Sequence, residues 1–128
     1  MTLYHFTAAH LVKSILRRGI TMGCIPRGDL DKPKFDRPYQ WLTCDPDPKQ
    51  QEWDNSEFRR LPYSRTAIRM TVEIPTCMER HLHRWLEIAD PDEPMVQILN
   101  SEGNPDDWWV YAGRIPARWI IRAKRMVD

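Results

Sequence analysis

The sequence predicts an α+β domain, and three observations carry that expectation. The chain has 128 residues, the length of one domain, so residues 1–128 read as a single unit. Strand-like alternation is clear at 66–74, with shorter strand-like runs near both ends of the chain. The order runs strand, helix, long loop, several strands, helix, more strands, without the regular alternation of a parallel βαβ sheet.

Leu3 to Phe6 is the first expected strand. Thr7 then suits a helix cap, and a helix is expected from about Ala8 to Arg18. Ala8, Leu11, Val12, Ile15 and Leu16 recur at helical spacing, so Leu11, Val12, Ile15 and Leu16 are expected in the core. Arg17 and Arg18 fall in the last turn, where cations suit the helix dipole, and Gly19 is the natural stop. Residues 21–40 mix glycine, proline and alternating charge and read as a long loop. Gln40 to Thr43 reads as a short strand, closed by the turn-rich CDPDPKQ. Residues 49–64 are polar with isolated aromatics, and at most a helical turn is expected there. In Thr66 to Ile74, Ile68, Met70, Val72 and Ile74 face one way while Arg69, Thr71 and Glu73 face the other, the pattern of a half-buried strand. Pro75 ends it, and Thr76 suits the cap of a helix from Cys77 to about Ala89. Met95 to Leu99 is apolar and fits either type. Trp108 to Tyr111 reads as a strand, Ala112 and Gly113 as a turn, and Trp119 to Met126 as further strand.

Composition narrows the function. The formal net charge is +1, which disfavours a strongly basic nucleic-acid binder while leaving room for a local patch. No run approaches the roughly 20 apolar residues of a membrane span, and MTLYHFTAAH lacks a basic-then-apolar leader pattern. Three cysteines without a CxxC make a disulfide framework improbable, so a cytoplasmic protein without membrane attachment is expected. Eleven prolines and six tryptophans point to a loop-rich chain in which indoles either fill the core or line a cleft.

Several groups make poor chemical sites. Cys77, His81 and His83 lack the four-ligand spacing of a structural zinc site, so no metal is expected. Cys44 lies beside Asp45 and Asp47, whose charges raise a thiol pKa. Arg118, Arg122, Lys124 and Arg125 read as a charged edge strand, with nucleic-acid contact as the alternative. Trp108 and Trp109 are adjacent, so on a strand they face opposite sides.

Tyr4-His5-Phe6-Thr7 runs straight into the helix ending Ile15-Leu16-Arg17-Arg18-Gly19-Ile20. Trp41-Leu42-Thr43 forms a second motif, and Asp107 through Pro116 a third, an acid followed by a strand, a turn and Ile-Pro. In type and order these three motifs resemble the ADP-ribosyltransferase-like superfamily, over residues 3 to about 122. The resemblance implies a small split β-sheet core with two helices and long loops. It implies NAD as substrate, a macromolecular target that is a protein more readily than a nucleic acid, and a monomer or weak oligomer. Asp107, His5 and Thr43 are then the catalytic candidates, and Tyr4, His5, Thr7, Trp41, Arg17 and Arg69 the residues around NAD.

Transfer of ADP-ribose breaks the nicotinamide–ribose bond through an oxocarbenium-like transition state, which a carboxylate stabilises. By the resemblance, His5 holds the adenosine-side ribose, Thr43 supports the nicotinamide end and Trp41 walls the ring. Arg17, Arg18 or Arg69 meets the pyrophosphate through paired donors; otherwise they are a solvated helix end and an exposed sheet face. One departure stands out. The family places glutamate where this chain offers Asp106 or Asp107, with Glu102 further back. A catalytically silent module of the same type, binding and inhibiting a protein or nucleic acid, is therefore the alternative function, and an unrelated α+β interaction protein the third.

Overall fold

A computed structural model describes residues 1–51 and 61–126. It is an α+β fold built on a six-stranded, antiparallel sheet. The strands are β1 (Thr2–Thr7), β4 (Tyr39–Thr43), β5 (Ile68–Glu73), β6 (Leu82–Arg84), β7 (Trp108–Ala112) and β8 (Ile120–Arg125), in the spatial order β6-β7-β4-β1-β5-β8. A separate hairpin joins β2 (Ile25–Gly28) to β3 (Pro33–Asp36). Three short α-helices are present among the described residues: α1 (Val12–Arg18), α2 (Trp85–Ile88) and α3 (Pro94–Asn100). No described helix is long and apolar enough to cross a membrane.

Neighbouring residues of a strand point to opposite faces, so this sheet carries a core cluster on each side. Leu3, Leu42, Val72, Ile74, Tyr111, Ile115 and Trp119 form one, with Ile15 of α1 packed on it. Trp108 and Val110 form the other with Trp85 of α2, Val96 of α3 and Ile25 of the hairpin. Trp41 and Tyr39 pack against that second cluster.

The alternation of 66–74 holds: Met70, Val72 and Ile74 are buried in and just beyond β5. Helix α1 ends at Gly19 as the spacing predicts, but only part of its expected face is buried. Leu11 and Leu16 are 43% and 48% exposed, Val12 and Ile15 only half-buried, and the α-helical part begins at Val12 after a 3-10 turn. The packing is carried instead by the residues that flank the helix. Ala8 and Ile20 are buried, and Ile20 and Ile115 exchange both backbone hydrogen bonds. Gly19, at φ +86°, rests directly on the Ile115 carbonyl, where a Cβ has no room.

Two further expectations fail. The helix over Cys77–Ala89 is replaced by a 3-10 turn (Thr76–His81), strand β6 and the single turn of α2. Met78, Leu82 and Trp85 have helical spacing, but pairing of Leu82–Arg84 with Tyr111–Trp109 overrides it. The loop at 21–40 contains the β2–β3 hairpin, whose two prolines, Pro26 and Pro33, mask a strand signal. The ambiguous 95–99 run is helical, in α3. Most of the polar 49–64 segment lies outside the described residues; its start is a 3-10 turn at Pro48–Gln50.

Candidate functional site

Strands β1 and β5 pair along six residues, whereas β1 and β4 share one registered pair, Tyr4 with Thr43. Beyond that pair β1 leaves β4, and a cleft of about 620 Å³ opens along the split. That volume lies in the usual range for a small-molecule site.

His5 stands where the ladder stops. Its Nδ1 lies 2.9 Å from the Trp41 carbonyl oxygen. A carbonyl only accepts, so Nδ1 carries the proton and Nε2 is left as an acceptor. Enclosure by protein strips water from the ring and lowers its pKa below 6.5, with the Trp41 bond acting weakly the other way. The imidazole is thus neutral near pH 7, with one acceptor at the cleft.

The opposite wall is fixed by side chains of β4. Gln40 is fully buried; its Nε2 donates to the Gly113 carbonyl at 3.0 Å, and its Oε1 accepts from the Gly23 amide at 2.9 Å. Trp41 donates its indole N–H to the Cys24 carbonyl at 2.8 Å. The Trp41 ring packs 4.8 Å from Trp85 and meets Trp108 edge-on at 5.8 Å. Trp41 and Trp108 both line the cleft, as do Tyr4, His5, Thr7 and Thr43. Thr43 is buried, and its Oγ1 accepts the Asp45 amide at 3.1 Å.

The sequence-predicted residues therefore divide. Tyr4, His5, Thr7, Trp41 and Thr43 come together in the cleft, while Asp107, Arg17 and Arg69 are not among its lining residues. The Asp107 carboxylate turns to its own loop: Oδ2 accepts from Asn104 Nδ2 at 3.0 Å, and Oδ1 lies 3.6 Å from Cys44 Sγ. Burial, together with that carboxylate, pushes the Cys44 thiol pKa up, which fits an inert cysteine. Arg17 and Arg18 are exposed in the last turn of α1. Arg69 donates to the Pro46 carbonyl at 2.9 Å and lies over the Tyr4 ring.

Among the described residues, the charged ones that line the cleft are Glu102, just past α3, and Arg65, just before β5. Glu102 was the acid named furthest back in the sequence, and Arg65 was not singled out there, since it sits in a polar connection without periodicity. Exposed apolar side chains, Leu11, Met22, Phe35 and Tyr63, rim the opening. Two indoles, a neutral imidazole, buried hydroxyls, one carboxylate and one guanidinium suit a ligand with flat rings joined by polar, anionic parts.

No protein-family model matches this chain, and no curated protein or solved structure is significantly similar to it.

Proposed function

We propose that the cleft binds NAD and that the chain is a mono-ADP-ribosyltransferase acting on a macromolecular target in the cytoplasm. The observation that carries this reading is the split beside His5, where the Tyr-His-Phe-Thr and Trp-Leu-Thr motifs and Trp108 converge on one cleft. In this reading His5 Nε2 accepts a hydrogen bond from a ribose hydroxyl. Trp41 and Trp108 wall a flat ring, Thr43 supports the nicotinamide end, and Arg65 faces the pyrophosphate. Glu102 takes the role first given to Asp107, because Glu102 lines the cleft and Asp107 does not. Its charge offsets the positive charge that develops on the ribose as the bond to nicotinamide breaks. The three cysteines are free, as suits a reducing compartment.

Calorimetry with NAD, and nicotinamide release in the presence of protein and nucleic-acid acceptors, test the reading. Wild type should bind and turn over, and His5→Ala should lose binding. Glu102→Gln should keep binding and lose about 100- to 1000-fold in rate, with Asp107→Asn close to wild type. Equal turnover by Glu102→Gln and wild type would remove Glu102 from the chemistry. NAD binding without nicotinamide release would favour the catalytically silent module, to which the diverted Asp107 carboxylate already lends weight.

A further inference from the structure

Register puts three cations on one face of the sheet beside the cleft. Tyr4 is paired with Thr71 and Phe6 with Arg69; Thr71 is paired with Arg122 and Arg69 with Lys124. Paired residues share a face, so Tyr4, Thr71, Arg69, Arg122 and Lys124 form one ledge across β1, β5 and β8. Arg122 and Lys124 are exposed. Tyr4 also lines the cleft, so ledge and cleft are continuous.

Two features of this ledge are unfavourable as they stand. Arg69 and Lys124 are like charges directly opposite each other, and neither joins an ion pair among the described residues. Arg69 Nε is the one buried side-chain polar atom among the described residues without a hydrogen-bond partner. Among the described residues, the nearby carboxylates do not relieve this. Asp45 and Asp47 accept the backbone amides of Asp47 and Lys49, and Glu73, at the far end, is held by Thr2 and the N-terminal amine. An anion bridging the three cations would remove the repulsion and satisfy the donor.

We propose that this ledge holds the phosphate backbone of a single-stranded nucleic acid, with Arg69, Arg122 and Lys124 as phosphate contacts. The spacing favours a strand over a lone ion. Cations at successive register positions of β8 repeat along the ledge, and the Arg69 guanidinium lies over the Tyr4 ring, 5.4 Å from its centroid, so an aromatic side chain borders the phosphate contacts. Taken with the NAD reading, on which this part rests, the ledge makes a nucleic acid the acceptor class presented to the cleft, where the sequence favoured a protein.

The test is fluorescence anisotropy of a labelled oligothymidylate over a salt series, with wild type and Arg122→Gln/Lys124→Gln. Each phosphate contact to a single strand contributes about 0.7 to the log–log salt slope, so losing two should flatten it by roughly 1.4. Both positions are exposed on the edge strand, and circular dichroism confirms that the variant is folded. No binding by wild type at low salt, or the same slope in the variant, overturns the proposal. Equal competition by an oligoglutamate overturns it in favour of an acidic protein partner. NAD titrated into the same samples separates the two readings. The ledge variant should bind NAD like wild type, whereas wild type that binds the oligonucleotide but never NAD leaves the ledge standing and removes the enzyme.

Discussion

On one face of the sheet, β4 and β7 present Trp41, Trp108 and Val110, which pack with Trp85 and Val96. On the same face, β1, β5 and β8 present Tyr4, Thr71, Arg69, Arg122 and Lys124. A dry half and a cationic half thus meet along the line where β1 leaves β4, and the cleft lies on that boundary. The dry half fixes positions, because close-packed indoles, with the N–H groups of Trp41 and Trp85 hydrogen-bonded, have few alternative arrangements. The cationic half instead carries exposed Arg122 and Lys124, with no ion pair to them among the described residues. Such a boundary suits a ligand that is itself part flat ring and part anion.

The sharpest break of this contrast is Trp85→Ala. Trp85 is fully buried, touches Trp41, and donates its indole N–H to Asn100 Oδ1 at 2.7 Å. Its truncation should cost about 3–5 kcal/mol in urea denaturation; a loss under about 1 kcal/mol would mean that the indole cluster does not hold the dry half. Gln40→Leu keeps the volume but strands the Gly23 amide and the Gly113 carbonyl. We expect a loss of about 1–3 kcal/mol in the same assay.

The third prediction concerns the boundary itself. His5 has its pKa below 6.5 in the folded protein, so as acid is added the unfolded chain takes up this proton first. The stability that neutral His5 contributes is complete above about pH 6.5 and is lost as pH falls through the folded pKa. The urea midpoint should therefore decline below that pH in wild type and stay flatter in His5→Gln; parallel profiles would place the titration elsewhere.

On the cationic half the effects are smaller and one has the opposite sign. Lys124→Glu turns a like-charge pair with Arg69 into an opposite one and should raise stability by about 0.2–1 kcal/mol, read as a higher melting temperature in low salt. Leu16→Ala, at a side chain 48% exposed, should change stability by no more than about 0.5 kcal/mol. A loss of core size there would restore the helix face that the sequence suggested.

What was legible followed from periodicity wherever one face is buried. Met70, Val72 and Ile74 alternate because their partners' faces leave no other choice, and Gly19 stops α1 because only glycine fits against Ile115. Two of the three motifs, far apart in sequence, marked five of the cleft's residues in advance. The rest depends on distant pairing. Leu82 reads as helical until β7 claims it, and Leu16 reads as core although its side chain is 48% exposed. The acid was misplaced for the same reason. Asp107 precedes a strand, but Asn104 and Cys44 turn its carboxylate into the loop, and no spacing signals that.

The single Tyr4–Thr43 rung has a mechanical consequence. A sheet resists shear in proportion to the rungs between neighbouring strands, so this one is stiff within each half and compliant between them. The Ile20–Ile115 exchange ties the halves a second time, across the chain that leaves α1 and the chain that leaves β7. The His5–Trp41 and Arg69–Pro46 bonds and the cluster of Leu3 and Val72 with Leu42 and Tyr111 also cross that line, so side chains hold the halves together where rungs are missing. A guest in the gap therefore trades against side-chain contacts, and the ladders inside each half stay intact.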